Sequence, residues 1–557
     1  MMRRNLFVAL SLLVAIAIMA PVVHAQAPPA APVFKSTITG IIDTVTSYTR
    51  NASNVDQMLN RNDEQWYARN RGRIDIIAEV GPAKAVFGFE IDAVWGQTGS
   101  NDSTIVNAGG AATTAVTAQS GTSGSFDINT DVRGIFEVKW LYVEFPAPLL
   151  PVPMIVRLGA QPFATAASYK LATYANGDFP GVNLYTTISP TFKLQATYVA
   201  VEENLTGTQN KNGLIMVGVP NTQNRGDDYA LIISPEFTPM KGLDIKPMIA
   251  YFHADGTTST SARAGRGGIN TSTAYTNPDG TSRGGVNEDR FTVGVDARYR
   301  MGPFSFEPSI NYQFGNRNVI AACPVALVAG VCPFPALTDS GAVAGRRYVA
   351  DMDAWLIDLR AGYQLGPLLL EGLGVYSTGN SARNNTLGKI RYYQPLDTDT
   401  SYLADWGTQI SSLGLDYSNA PLSGGGRSAY PGNQIGWDKY GRIQVGAKAT
   451  YAITPALSIM AGVNGHWTAE EVDRNGTLIA GAGILPSFTG GPRSTSSYVG
   501  TEFMSVLSWR FAPGLAWDNS VGYMIPGPAL DAVTDPAAGP RNTSDISIVT
   551  SRIRFSF

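Results

Sequence analysis

The strongest constraint in this 557-residue chain is a two-residue period. From Phe304 to Gly315 the even positions are Phe304, Phe306, Pro308, Ile310, Tyr312 and Phe314, and the odd positions are Ser305, Glu307, Ser309, Asn311, Gln313 and Gly315. Successive side chains of a strand point to opposite faces. This segment is therefore a strand with one apolar, aromatic face and one polar face. The alternation recurs. Phe291, Val293, Val295, Ala297 and Tyr299 oppose Arg290, Thr292, Asp296, Arg298 and Arg300. Trp66, Ala68, Gly72, Ile74, Ile76, Ala78 and Val80 oppose Arg69, Arg71, Arg73, Asp75 and Glu79, and Phe87, Phe89, Ile91 and Trp95 oppose Glu90 and Asp92. Ile443 to Tyr451, Leu457 to Trp467, and Val499, Phe503, Leu507, Trp509 and Phe511 repeat the pattern. Aromatics gather near the ends of the apolar faces, as on strands that meet lipid and place rings at the two membrane interfaces.

A lipid-facing strand survives only in a closed barrel, because hydrocarbon leaves no other partner for its backbone groups. Beyond the first residues no run reaches the ~18–20 apolar residues of a membrane helix, and the mean hydropathy of -0.02 is too polar for a helical bundle. Charged residues make up 15%, against about 25% in soluble proteins. The net charge of -3 lacks the basic footprint of a nucleic-acid partner. Three histidines and two cysteines leave little for a metal site. No cofactor and no enzymatic activity are expected.

Arg3 and Arg4, the apolar stretch from Leu6 to Ala20, and the small-x-small site Val23-His24-Ala25 predict a secretory signal peptide over residues 1–25. A Pro/Ala leader over 26–33 follows, and residues 34–557 form one barrel domain. Tight turns such as Gly81-Pro82, Gly302-Pro303, Gly366-Pro367 and Pro513-Gly514 alternate with long polar stretches such as 97–130, 255–287 and 379–438. Short turns on one rim and long loops on the other are the outer-membrane arrangement. The expected fold is all-β, a transmembrane antiparallel barrel of about eighteen strands, with sixteen as the alternative. Between Ile135 and Phe145 the polar parity switches, from Glu137 and Lys139 to Glu144, which predicts a bulge.

Val549, Ser551, Ile553, Phe555 and Phe557 alternate to a terminal aromatic residue. This end resembles the recognition strand of Gram-negative outer-membrane proteins, which implies the barrel assembly machinery, lipid and lipopolysaccharide as partners. Arg69 to Gly96 (RNRGRIDIIAEVGPAKAVFGFEIDAVWG) resembles the second and third strands of porins. Val156 to Phe163 (VRLGAQPF), followed by Gly177 to Val182 (GDFPGV), is similar to the strand and inserted loop of porins and of the eighteen-strand alginate-export family. Where that family carries a second basic residue in this strand, the chain has Ala160. The resemblance implies the fold, outer-membrane placement and a water-filled pore for ions and small hydrophilic solutes. A dedicated polysaccharide or oligosaccharide channel is the alternative, and a homo-oligomer stays open beside a monomer. The resemblance also implies that the loop over 164–181, with Tyr169, Lys170, Tyr174 and Asp178, folds inward as the constriction, with Asp178 facing Arg69, Arg71 and Arg73.

By parity the inward charges include Arg69, Arg71, Arg73, Glu90, Asp92, Arg157, Lys193, Arg290, Arg298, Glu307, Arg360, Arg442, Lys448, Arg510, Arg552 and Arg554. Asp43, Asp75, Glu79, Asp296, Asp358, Glu371, Glu502 and Asp518 join them. The signs nearly cancel, which argues against strong ion selectivity. Either the three arginines pair locally with Glu90 and Asp92, or they remain under-neutralised and line the neck. Cys323 and Cys332 suit a disulfide in an external loop, given an even count and an oxidising compartment. Inward His466 lacks an evident catalytic partner. Asp397, Asp399 and Asp405 have no regular calcium spacing, and Tyr392, Tyr393, Tyr402 and Trp406 either stack on sugars or pack their own loop together.

Overall fold

The computed structural model describes residues 33–51, 64–95, 136–148, 150, 152–164, 173–202, 228–255, 287–320, 347–380, 389–398, 440–471, 496–530 and 544–557. Short pieces at 125–126, 275–276, 282–283, 406, 410, 476–479 and 483–486 complete the set. The leader and signal segment, Tyr169, Lys170, Cys323 and Cys332, Asp399, Tyr402 and Asp405 lie outside it, as do the side chains of Asp92 and Asp397.

Eighteen long strands build the wall. They are β1 Phe34–Arg50, β2 Glu64–Val80, β3 Ala83–Trp95, β4 Phe136–Pro146, β5 Met154–Ala164, β6 Ala175–Ser189, β7 Phe192–Glu202, β8 Asp228–Met240 and β9 Leu243–Asp255. They continue as β10 Asn287–Met301, β11 Phe304–Ile320, β12 Arg347–Leu365, β13 Leu368–Ser377, β14 Arg442–Thr454, β15 Leu457–Trp467, β16 Tyr498–Ala512, β17 Leu515–Pro526 and β18 Ile546–Ser556. Each pairs antiparallel with its neighbours in the chain, and β18 pairs antiparallel with β1. At the seam Gly40 and Phe557 exchange two backbone hydrogen bonds, of 2.9 and 3.0 Å. The sheet thus has no free edge, which is the condition for crossing hydrocarbon.

The turns explain the short rim. Gly81, Gly302 and Gly366 have φ of 58, 57 and 57°, and each precedes a proline. A positive φ is open to glycine and strained for other residues, and the fixed negative φ of proline follows it in a tight hairpin.

The period dictates the two faces. On β11, Glu307, Ser309, Asn311 and Gln313 are buried toward the lumen, while Phe304 and Phe314 are exposed on the outside. Trp66, Trp355, Tyr376, Tyr451, Trp509, Tyr523 and Phe557 are among the large outward side chains left exposed. An apolar belt this extensive is a membrane surface; a water-soluble monomer rarely exposes a continuous apolar patch.

Among the register shifts of the described strands, two bear on the inner wall. Gly88 pairs with Trp140 and Phe89 with Val138, so Lys139 is the extra residue on β4. That is the switch expected between Ile135 and Phe145. The second lies on β16: His466 pairs with Gly500 and Trp467 with Tyr498, so Val499 is the extra residue opposite β15. Val499 is fully buried there, not on the lipid face that simple alternation gives it.

Candidate functional site

The lumen divides into two sectors. In the first, Arg69, Arg71 and Arg73 rise along β2 beside Glu90 of β3. Arg71 Nε lies 3.3 Å from Glu90 Oε1, and Arg73 Nε 2.6 Å from Oε2. The bulge then adds Lys139, whose ammonium sits 3.1 Å from Glu90 Oε2 and 2.9 Å from Asp178 Oδ2. Trp140, its neighbour in the bulge, donates its indole N–H to Asp178 Oδ1 at 2.6 Å. One extra residue thus delivers two consecutive side chains to the same carboxylate. Asp178 is not in a loop facing the arginines across the bore. It belongs to β6, whose extended chain already begins at Ala175, and Lys139 ties it to the arginine cluster on the same wall. Backbone register sets Asp92 opposite Arg71.

The same sector carries further pairs. Arg157 contacts Glu144 through Nε at 2.9 Å and Nη2 at 2.7 Å, and its guanidinium lies 4.8 Å from the Tyr142 ring centre. Lys84 reaches Glu144 at 2.8 Å. At the seam Arg552 pairs with Asp43, and Arg554 stands opposite Asp43 in register. Gly159 has φ 121°, and a Cβ there would lie 2.2 Å from the Leu141 carbonyl. β4 and β5 can approach this closely only with glycine at that point.

The second sector runs from β6 to β16 and contains what parity alone does not foresee. Ala230 and Ile232 of β8, Ala250 and Phe252 of β9, Ala354 and Leu356 of β12, and Leu373 and Val375 of β13 are inward, apolar and buried. Around these positions, at 229–233, 249–252, 354–357 and 372–376, the strands are apolar or glycine on both faces. Their cover is the connection between β13 and β14. Tyr393, Leu396 and Trp406 of that connection pack into the same cluster, together with Tyr174 and Phe179. The aromatics therefore neither pack their loop only on itself nor present free rings.

This strap is also pinned by polar contacts. Gln313 accepts the Gln394 backbone N–H at 2.8 Å and donates to its carbonyl at 2.7 Å, so one side chain mimics a strand partner. The Gln394 side-chain oxygen accepts from Arg290 at 3.2 Å and Arg317 at 2.6 Å. Buried Glu288 holds both guanidiniums, at 3.1 and 2.6 Å. On the other side, Leu396 donates its N–H to the Tyr174 carbonyl at 2.8 Å, and the Tyr393 hydroxyl donates to the Thr173 carbonyl at 3.2 Å. Asn311 of β11 donates to the Thr173 hydroxyl at 2.8 Å. The approach to β6 thus reaches the inner face of a strand five places away around the wall. Further along, the Trp406 ring lies 4.7 Å under Lys448, and Ile410 donates its N–H to Glu502 Oε1 at 2.9 Å. The strap therefore touches the wall from β6 to β16.

Below Trp406, toward the short turns, lies a cavity of ≈ 540 Å³ lined by Arg300, Ser305, Glu307, Arg360, Glu371 and Lys448, among others. Lys448 pairs with Glu371 at 3.4 Å, Arg360 with Asp358 at 3.2 Å, and Arg298 with Asp244 at 2.5 Å. Arg442 is buried on the inner face of β14. His466 is buried 3.7 Å from Glu502. Lys139 and the strap are the functional elements that simple parity overlooks. The signals for them were the parity break on β4 and the doubly apolar stretches of β8, β9 and β12.

No protein-family model matches the sequence, and no curated protein matches it. Among solved structures the barrel is similar to Pseudomonas aeruginosa OccK8 (OprE), with a TM-score of 0.41, 10% identity, and 94% of this chain and 98% of that chain covered. It is similar to Acinetobacter baumannii OccAB1, with a TM-score of 0.43, 12% identity, and 93% and 97% covered. A third is Pseudomonas aeruginosa OpdQ, with a TM-score of 0.43, 8% identity, and 94% and 97% covered. By its own geometry, with a closed even-numbered wall, an apolar aromatic exterior, a charged interior and one rim of short turns, the chain has the architecture of an outer-membrane-type β-barrel.

Proposed function

We propose that the protein is a passive channel for ions and small hydrophilic solutes in the outer membrane of a Gram-negative cell. The observation that carries this reading is the partition of the lumen. A strap fills the apolar sector, and the charged wall from β1 to β5 is left to bound the passage. Arg73, Lys139, Arg157 and Asp178 keep 15 to 30% of their side-chain surface open there. Arg69, Arg71, Arg73 and Lys139 stand against Glu90, Asp178 and Asp75, and the side chain of Asp92 is outside the described residues. Such near-balance supports a weak preference between ions, because rings of charge select solutes by their residual field. The neck lies between the arginine wall and the strap, with Asp178 of β6 beside Lys139.

The saccharide-channel alternative draws no support from the aromatics. Tyr393 and Trp406 are buried in the wall cluster, so their faces are already in use. The test is a planar-bilayer recording. A small steady conductance that simple salts carry, and that linear oligosaccharides leave unblocked, is the expected result. Concentration-dependent block by oligosaccharides would favour the dedicated channel, and absence of any conductance would reject a pore.

A further inference from the structure

Inside the bore, between the underside of the strap and the short turns, the wall is dented. Two inward rows cross β10 to β14 there. The lower row runs Arg300, Ser305, Gly362, Glu371 and Lys448, each the register partner of the next. The upper row runs Glu307, Arg360, Leu373 and Gly446 in the same way. Ser305 and Gly362 are the small members of the lower row and stand side by side, so the wall recedes between Arg300 and Glu371. This recess is the cavity of ≈ 540 Å³, within the roughly 300–1,000 Å³ that hold small ligands. Its roof is Trp406. The indole seats against Gly446, where a Cβ would lie 2.8 Å from the ring. Gly302, Pro303 and Gln364 line its lower end, at the short-turn rim, and all three are exposed. The recess is therefore closed toward the long loops and open toward the short turns.

Charges of both signs meet there. Arg300 is exposed, and Lys448 and Glu371 keep 11 and 22% of their side-chain surface open. Lys448 lies 3.4 Å from Glu371, and Arg360 3.2 Å from Asp358. Glu307 is buried in the upper row. A purely anionic solute meets Glu307 and Glu371 here, and a purely cationic one meets Arg300, Arg360 and Lys448. Opposed charges of this kind select against the wrong ligand as much as they favour the right one. A solute that carries both signs places its carboxylate by the arginines and its ammonium by Glu371, and both ends gain charge-assisted hydrogen bonds. Arg300 and Glu371 stand three strands apart, roughly 14 Å between backbones at about 4.8 Å per strand. Their long side chains close on a solute of amino-acid or dipeptide length seated over Ser305 and Gly362.

We propose that this recess is a binding site for small zwitterions of amino-acid or dipeptide size, entered from the short-turn mouth of the bore. The proposal rests on the channel reading above and adds to it a class of solute and a side of entry. The planar guanidinium forks of Arg300 and Arg360 match a carboxylate, and Glu371 takes the ammonium that Lys448 otherwise supplies. The site stands on β10 to β14, apart from the arginine wall of β2. An occupied recess removes part of the water-filled cross-section of the inner mouth, so binding reads as a partial block of current.

The experiment uses the full-length folded protein in oriented planar bilayers, with glycylglycine as the probe. N-acetylglycine, which lacks the ammonium, and glycylglycinamide, which lacks the carboxylate, are the matched controls. The expected result is a concentration-dependent partial block by glycylglycine, stronger from the short-turn side, and little block by either control. Block is read as a fraction of each variant's own current. Arg300→Gln and Glu371→Gln should each weaken it about tenfold or more, the fold-change of a lost charge-assisted hydrogen bond. Ser305→Leu fills the recess, leaves every charge in place and should abolish the block. Equal block by either control, equal block from both sides, or block that survives Ser305→Leu overturns the proposal. A current that glycylglycine leaves untouched also overturns it and leaves the channel standing. If the protein carries no current, the channel reading fails, and equilibrium dialysis of the folded protein against radioactive glycylglycine decides the site. Retention that Ser305→Leu abolishes then supports it, and no retention overturns it. If a charge variant does not fold, the matched controls and Ser305→Leu still decide.

Discussion

The inner wall from β1 to β5 and the inner wall from β8 to β13 obey the same alternation and serve opposite ends. The first presents arginines, a lysine and carboxylates to water, with charges paired but partly exposed. The second presents alanine, isoleucine, phenylalanine and leucine inward from β8, β9, β12 and β13, on either side of the polar inner faces of β10 and β11, and is buried beneath the strap. In most barrels of this width an apolar inner surface would face an aqueous lumen at a cost. Here the cost is removed because a loop of the same chain covers it. Burial of apolar surface contributes roughly 25 cal/mol per Å², so the strap is held mainly by packing. The Gln394 contacts then fix its register. The difference shows that pore width in this fold is set from inside, by which sector the loop can adhere to, as well as by strand number.

Perturbations of the covered sector should be the larger ones. Glu288→Ala leaves Arg290 and Arg317 buried without their shared carboxylate. Breaking a buried ion pair in this way costs about 3–5 kcal/mol, so the heat-modifiability midpoint should fall clearly. An unchanged midpoint would mean that the cluster is hydrated and the strap loosely placed. Gln313→Leu removes both backbone contacts to Gln394 and strands those groups, at about 1–3 kcal/mol. Its signature should be flickering current with normal barrel stability; quiet current of native size would deny the pinning role. Trp406→Ala deletes the ring beneath Lys448, an interaction of about 0.5–2 kcal/mol in addition to packing. A modest rise in conductance is expected, and a fall would count against a ring that narrows the bore. In the open sector, Arg71→Ala with Arg73→Ala should lower stability less than Glu288→Ala does, because Lys139 still pairs with buried Glu90 at 3.1 Å. It leaves Glu90 and Asp178 with less compensation, so the reversal potential across a salt gradient should shift toward cations. A shift toward anions would place the arginines outside the conduction path.

Much of this was legible in the chain. The faces of β11 and β10 follow from strict alternation, since parity decides which side chain meets lipid. The bulge on β4 was visible because Glu137 and Lys139 disagree in parity with Glu144, although its consequence, Lys139 and Trp140 meeting at Asp178, depends on where β6 passes. Position 178 falls in the loop that the porin resemblance implies over 164–181, a segment that holds Gly177, Pro180 and Gly181. In the barrel these residues are tolerated in an extended strand, with Pro180 paired to Ala160. The strap could not be read in detail. Tyr393 and Trp406 find their partners on strands far away in sequence, such as β6 and β14, and no local period records such a contact. What the sequence did hold was a surplus: Ala230 to Ile233 is apolar on both faces, a sign that the inner face needed a cover.

The most direct test of the central claim is the single-channel conductance of a variant lacking residues 389–410, joined by a short flexible linker, against that of the native protein. If the strap occupies the covered sector and sets the bore, the variant should fold, give the same heat-modifiable band and conduct several-fold more. A folded variant with native conductance would show that the strap does not bound the passage.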